Sequence, residues 1–110
     1  MFTEFRWMRI LVFYDLPMTS KANRRAYTLF HKFLLKEGYD MLQFSVYGKL
    51  CNGHKSVDKN IQRIKYNLPA NGNIRIIKIT EKQYANMEFL VGTPTSQEIA
   101  NRTDKQLLLI

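Results

Sequence analysis

The stretch Ile10–Pro17, ILVFYDLP, decides the fold class of this sequence. Its five successive apolar or aromatic residues predict a β-strand over Met8–Tyr14 that is buried on both faces. The strand runs into a carboxylate, Asp15, and Pro17 then prevents the ladder from continuing. Asp15 has three interpretations at this position: a turn residue, a cap for the next helix, or a ligand for a metal ion.

The residues after this strand have the periodicity of an amphipathic helix. The helix is predicted over Lys21–Glu37, with Thr19 or Ser20 as its cap and Gly38 as the residue that ends it. Its apolar stripe consists of Ala26, Leu29, Phe30, Phe33 and Leu34.

A second helix is predicted after a loop at Cys51–Lys55. Ser56 is its expected cap and Pro69 its stop. Its apolar side consists of Val57, Ile61, Ile64 and Leu68.

Three further segments are predicted to be strands or parts of strands. Met41–Leu50 is rich in β-branched and aromatic residues, so it forms one long strand or two short ones with a kink near Ser45 or Gly48. Ile74–Thr80 is another strand, and Met87–Val91 a shorter one.

This order of elements predicts an α+β domain. The pattern is a ferredoxin-like split βαβ fold, βαββαβ plus an extra C-terminal strand, with two helices on one face of an antiparallel sheet. Because the first strand is apolar on both faces, the other face is expected to pack against a second copy and give a twofold homodimer. Residues 1–92 form this domain, with 1–7 as an N-terminal extension, and 93–110 form a tail.

The composition limits the classes of protein that fit. A hydrophobic fraction of 45% in 110 residues suits one folded domain. No apolar run approaches the ~20 residues that span a bilayer, so no membrane partner is expected. The N-terminus lacks the features of a signal peptide, and the single cysteine, Cys51, fits a reducing cytoplasm.

The net charge of +8 is unevenly distributed along the chain. Residues 21–78 contain twelve Lys or Arg and three Asp or Glu, which gives this segment a charge of +9. Such a basic zone indicates a polyanionic partner, and its cations lie on the helix sides that face away from the apolar stripes. The predicted phosphate contacts are Lys21, Arg24, Arg25, Lys32, Lys36, Lys59 and Arg63.

Besides these cations, few residues indicate a metal site or an RNA-binding site. Asp15 suits a hard cation such as Mg²⁺, but a well-held ion usually needs further ligands, which a second Asp15 across a dimer axis would supply. Cys51 and His54 give two zinc ligands where a structural site needs four, so a zinc site is not expected. No RNA-binding aromatic signature is present, and Phe13, Phe44 and Phe89 are expected in the core or the dimer interface.

The C-terminus is apolar on a charged domain. Its four residues either dock onto a partner or close the protein's own sheet, and the sequence leaves both readings open. They are Leu107, Leu108, Leu109 and Ile110.

Three stretches resemble one known family. They are MRILVFYDLP at 8–17, TSKANRRAYTLFHKFLLKEGYDMLQFSVYGKL at 19–50, and ITEKQYANMEFLVG at 79–92. Together they resemble the small universal subunit of CRISPR adaptation complexes, the Cas2 family, and look closest to the variants of type II systems. The resemblance covers about residues 8–92.

The resemblance implies a function in antiviral defence. It implies a ferredoxin-like homodimer that bridges two dimers of the CRISPR integrase and binds the middle of a double-stranded DNA prespacer during spacer acquisition. The tail would then be a candidate for docking the integrase. Family members are also described as metal-dependent endonucleases of RNA or DNA. Their metal-binding aspartate ends the first strand and corresponds to Asp15, which implies a Mg²⁺ ion shared between two Asp15 side chains and a catalytic role for that residue in any nuclease activity.

Overall fold

The computed structural model describes residues 6–100, apart from the side chains of residues 97 and 100, and confirms the α+β class. Its first six elements have the order βαββαβ, and two short helices follow. The four strands form one antiparallel sheet in the order β2-β3-β1-β4, which places β1 at its centre. The elements are β1 (Trp7–Asp15), α1 (Lys21–Lys36), β2 (Asp40–Gln43), β3 (Val46–Asn52), α2 (His54–Lys65), β4 (Asn73–Thr80), α3 (Glu81–Ala85) and α4 (Ser96–Ala100).

The core lies between the sheet and the two long helices. Alternate residues of β1 point to this side because successive side chains of a strand face opposite ways. Tyr47 and Cys51 of β3 lie on the same side. The core residues contributed by β1 and by the helices are Met8, Ile10, Val12, Tyr14, Phe30, Leu34, Val57 and Ile64.

Helix α1 begins and ends as the sequence predicts. The Ser20 hydroxyl accepts a hydrogen bond from the Asn23 amide at 3.0 Å, and Gly38 follows the C-cap with a φ of 90°. The prediction was wrong for one residue of the apolar stripe, Leu29, which is exposed. Phe30 and Leu34 face the sheet, and Leu29 lies to the side of this buried face.

The segment 41–50 forms two strands rather than one. The chain reverses between β2 and β3, and Ser45 lies in the turn with a φ of 63°, so the kink near Ser45 is confirmed. A non-glycine residue in this conformation is uncommon and marks a tight reversal.

The predicted bounds of the second helix were wrong at both ends. Cys51 belongs to β3, which continues to Asn52, so the predicted loop shrinks to a single linking residue, Gly53. Gly53 occupies the N-cap position in place of Ser56. The helix ends at Lys65, well before Pro69, and Leu68 is exposed.

The predicted strand over Met87–Val91 was also wrong, since these residues are irregular and Leu90 and Val91 are exposed. Backbone groups gain from strand geometry only where another strand accepts their hydrogen bonds, and within residues 6–100 no strand pairs with this segment. Helices α3 and α4 were not predicted. Residues 1–5 and 101–110, and with them Leu107–Ile110, lie outside the described residues.

The sheet face opposite the long helices is covered in part by the protein's own chain. Arg9 lies on this face at the centre of the sheet and is only 1% exposed. Its guanidinium forms two hydrogen bonds with Glu81 of α3 and lies 4.2 Å from the centre of the Tyr84 ring. The Tyr84 hydroxyl in turn donates to Glu98 of α4 at 2.5 Å. We call this sheet face, opposite the long helices, the open face, because residues 6–100 leave its Asp15 end uncovered.

In the part of the chain that the structure describes, no helix is long and apolar enough to cross a membrane.

Candidate functional site

Asp15 is the last residue of β1 and lies at the uncovered end of the open face. It pairs with Asn73 of β4, and its side chain is exposed. Among the described residues, no hydrogen bond or ion pair engages the carboxylate, which leaves its oxygens available to a ligand.

An open groove of about 410 Å³ surrounds this carboxylate. The register of β1 with β4 places Arg75 opposite Phe13 and on the same face as Asp15. The groove thus contains an acid, a guanidinium and aromatic rings. Its lining consists of Phe13, Tyr14, Asp15, Phe44, Ser45, Val46, Asn73 and Arg75.

Two backbone contacts fix the end of β1. The Tyr14 amide donates to the Ser45 carbonyl at 3.1 Å and ties the strand to the β2–β3 turn. On the other side, Gly72 approaches so closely that a Cβ there would lie 2.9 Å from the Asp15 carbonyl oxygen and 2.5 Å from Leu16 Cδ2. Only glycine fits this approach, so Asp15 stands on a rigid support.

An aromatic cluster connects the groove to the core. The Tyr14 and Tyr47 rings are stacked with centroids 5.6 Å apart, and Tyr27 packs edge-on against Tyr14. Phe44 extends the cluster outward by stacking on Tyr27 at 6.3 Å. Burial raises the pKa of Tyr14 and of Tyr47, so both phenols are neutral near pH 7 and neither supplies a base to the groove.

The groove offers oxygen ligands of the kind that Mg²⁺ prefers. Asp15 provides a carboxylate, and the Ser45 hydroxyl and the Asn73 amide oxygen belong to the same lining. Within residues 6–100, no group of three or more His, Cys, Asp and Glu side chains lies together in a way that could hold a metal ion. The described residues thus supply this groove with one carboxylate and neutral oxygen donors, so a Mg²⁺ ion there would take most of its ligands from water or from another chain.

All seven predicted phosphate contacts are exposed on α1 and α2. Two of them also make contacts within the protein. Arg24 Nη1 donates to the Met18 carbonyl at 3.2 Å, and Arg63 Nη1 forms an ion pair with Glu37 at 2.9 Å. Arg63 is therefore partly neutralised, whereas the others present their charge to solvent on the helix layer. Asp15 lies on the opposite side of the sheet, so the cations and the carboxylate belong to two surfaces.

Sequence reasoning did not place the groove's other residues beside Asp15. Arg75 lies in a strand whose register with β1 had to be known before it could be placed beside Asp15. Phe13 and Phe44 were expected in the core or an interface, and in the protomer both are exposed, Phe44 at 78%. Cys51 and His54 differ in their surroundings, since the thiol is buried and the imidazole is exposed.

Comparison with known proteins identifies relatives of this chain. The model of the family described as CRISPR associated protein Cas2 matches residues 8–87. A protein of Acidovorax ebreus named CRISPR-associated endoribonuclease Cas2 is 57% identical over 91 residues, which cover 83% of this chain and 89% of the relative. A Streptococcus mutans protein of the same name is 42% identical, over 94% of this chain and 93% of the relative.

The fold also has a solved counterpart. A crystal structure described as that of Cas2 matches this chain with a TM-score of 0.51 and 20% sequence identity, over 82% of this chain and 92% of the other. At this identity the match supports the fold alone, and it agrees with the βαββαβ order of the sheet and long helices.

Proposed function

We propose a function from the premise that this chain belongs to the Cas2 family of CRISPR-associated proteins. In this proposal the protein is a metal-dependent endoribonuclease that works as a homodimer, with Asp15 of both protomers at the reaction centre. One observation carries the proposal: a carboxylate that no described residue engages ends the central strand, on a rigid support, beside an exposed guanidinium. Relatives that are 57% and 42% identical are named as endoribonucleases, which supports the same reading.

Each groove residue has a defined task in this mechanism. Asp15 would hold Mg²⁺, which would polarise the scissile phosphate and lower the pKa of an attacking water. Arg75 neutralises phosphate charge through its planar guanidinium, and the Asn73 amide donates to a non-bridging or ribose oxygen. The Tyr14–Ser45 backbone bond and the close approach of Gly72 keep Asp15 in place during the reaction.

Replacement of Asp15 by Asn tests this proposal. Purified wild type, Asp15→Asn and the control Asp58→Asn are incubated with labelled single-stranded RNA, with Mg²⁺ and with EDTA. Asp58 is an exposed acid on α2, so its replacement removes the same charge away from the groove. We expect cleavage by wild type and Asp58→Asn only with Mg²⁺, and a loss of at least about 100-fold in Asp15→Asn. Equal cleavage by all three proteins would contradict the proposal.

A second function is favoured by the exposed cations of α1 and α2. We propose that these helices bind the backbone of a DNA duplex, so that the dimer serves as the scaffold that holds a prespacer between CRISPR integrase subunits. Their position on the helix layer, away from Asp15, allows duplex binding without use of the groove. The +9 charge of residues 21–78 supports a phosphate-rich partner.

The salt dependence of duplex binding tests the scaffold role. Removing one phosphate contact reduces the slope of log K against log salt by about 0.9. We expect Arg24→Gln with Arg25→Gln to flatten the slope by up to ~2 units, and Lys82→Gln, an exposed cation on α3, to leave it unchanged. Salt-independent affinity, or an unchanged slope in the double variant, would count against the scaffold.

A further inference from the structure

We propose that Phe44 is a stacking platform for one base of a single-stranded RNA whose backbone lies in the groove at Asp15. This inference rests on the endoribonuclease function proposed above and adds to it a substrate-positioning residue and a requirement for an unpaired nucleotide.

The exposure of Phe44 is the first observation. The ring is 78% exposed although it belongs to the sheet end that also carries Asp15 and Phe13. Water solvates such an apolar ring poorly, so a flat apolar ligand that covers it gains the free energy of burial. A nucleobase is such a ligand, and every base presents a π-face of this kind.

The second observation is that the ring is held in place. Phe44 stacks on Tyr27 with an interplanar angle of 26°, and the next residue, Ser45, is fixed in a left-handed turn whose carbonyl accepts from Tyr14. One side of the ring is therefore supported by the aromatic cluster. A platform that is ordered before binding loses little side-chain entropy when a base stacks on it.

The positive charge beside the Phe44 ring favours a nucleotide as its ligand. Arg75 is exposed in the same groove, and no ion pair engages it among residues 6–100. An aromatic platform beside a free guanidinium matches a base beside its phosphate, whereas an apolar surface of a second copy would leave that cation unpaired. Because Phe44 stacks on Tyr27 of α1, the ring lies at the Asp15 end of the sheet, on the side of the long helices rather than in the middle of the open face.

An unpaired nucleotide is required by this geometry. Both faces of a base inside a duplex are covered by its neighbours, so only an unstacked base can lie on Phe44. The platform would place the adjacent phosphate near Asp15 and Arg75. Duplex DNA would instead bind by its backbone, on the helix layer.

Binding of a fluorescent base tests the proposal without requiring cleavage. The probe is a single-stranded RNA with one 2-aminopurine, whose fluorescence is quenched when the base stacks, and titrations are made in EDTA. The variants are Phe44→Ala, Phe44→Trp, which keeps a stacking ring, and Tyr66→Ala. Tyr66 is a matched control because its ring is 79% exposed at the end of α2, away from the groove.

We expect wild type and Tyr66→Ala to quench the probe equally. Phe44→Ala should raise the Kd of the titration about 5- to 150-fold and reduce the quenching at saturation, and Phe44→Trp should restore the affinity and the quenching. The affinity for duplex DNA should be the same in all four proteins.

Three results would overturn the proposal: no quenching by wild type, wild-type affinity in Phe44→Ala, or a shift of Phe44→Ala to a smaller species in size-exclusion chromatography. The last result would identify a second copy of the chain as the occupant of Phe44. Since the titrations contain no Mg²⁺, a protein that stacks the base but never cleaves RNA would refute the endoribonuclease function and leave the platform standing.

Discussion

The guanidinium of Arg9 and the carboxylate of Glu81 form a buried ion pair on the open face, with Nε donating to Oε1 at 2.7 Å and Nη2 to Oε2 at 3.1 Å. The pair joins the centre of the sheet to the helix that follows its last strand, 72 residues later in the sequence. Through Tyr84 and Glu98 the same network reaches α4. The chain after β4 is thus anchored to the sheet by polar contacts as well as by packing.

Breaking this pair should destabilise the protein strongly. Removing one partner leaves the other charge buried without compensation, which costs about 3–5 kcal/mol. We expect Glu81→Gln to lower the free energy of unfolding by roughly that amount in urea denaturation, and Glu88→Gln, an exposed acid after α3, to change it by less than about 0.5 kcal/mol.

The double variant Arg9→Met with Glu81→Leu distinguishes the effect of the buried charges on stability from the effect of the volume that the two side chains fill. Apolar side chains of similar volume often replace a buried ion pair without loss, so the double variant should recover most of the stability. A Glu81→Gln protein as stable as wild type would show that the pair contributes no more than a surface contact.

Gly72→Ala should destabilise the end of β1. The φ of Gly72 is +106°, and a Cβ would also meet the Asp15 backbone and the Leu16 side chain. Gly92 is the control, because its φ is +93° and nothing lies within 4 Å of its Cβ position. Gly92→Ala should cost about 1–2 kcal/mol from backbone conformation alone, and Gly72→Ala a further ~1–3 kcal/mol from overpacking, measured by thermal or urea unfolding. Equal losses in the two variants would refute the close approach.

Stability should fall in alkaline solution. Burial raises the pKa of Tyr14, Tyr39 and Tyr84 above the ordinary value of 10.0. The unfolded chain then releases phenol protons that the native state keeps, so the free energy of unfolding decreases as the pH rises past 10. Each protected tyrosine contributes at most about 1.4 kcal/mol per pH unit.

Urea midpoints at pH 8, 9, 10 and 11, with tyrosinate absorbance followed in parallel, measure this effect. Stability should be level below about pH 9 and decline above it. Ionisation of these three tyrosines near pH 10 in the native protein, without loss of stability, would contradict their burial.

Cys51 should react slowly with thiol reagents in the native protein. Its side chain is buried, and burial raises the pKa of the thiol, so little thiolate exists at pH 8. We expect modification of the native chain to be limited by opening of the structure and modification of the urea-unfolded chain to be complete within minutes. Rapid modification without urea would place Cys51 at the surface.

The elements with a strong period were predictable from the sequence. The double-sided β1, the amphipathic α1 with its Ser20 cap and Gly38 stop, and β4 are confirmed almost to the residue. The bounds of α2 were not predictable in this way. Ser56 is a residue type that favours the N-cap, but the helix begins three residues earlier, after Gly53, because β3 ends at Asn52.

Of the residues around the groove, the sequence singles out Asp15, because a buried strand ends in a carboxylate, and its metal-binding role was implied by the family resemblance. Arg75 and Phe44 reach the groove through the β1–β4 register and the turn at Ser45. Register and turn geometry depend on tertiary pairing, which a single sequence does not specify. The short helix α3 was not predicted because it has only five residues, although Thr80 and Gln83 form a capping box at its start.

The place of β4 at the edge of the sheet has a consequence for solubility. One side of Asn73–Thr80 carries backbone groups that no described strand satisfies, and such an edge recruits strands from other chains. Two exposed cations, Arg75 and Lys78, interrupt the otherwise isoleucine-rich sequence of this edge. The positive charges on the edge strands of two molecules repel each other, which disfavours edge-to-edge pairing. The Arg75 guanidinium that lines the groove therefore also reduces the tendency to aggregate.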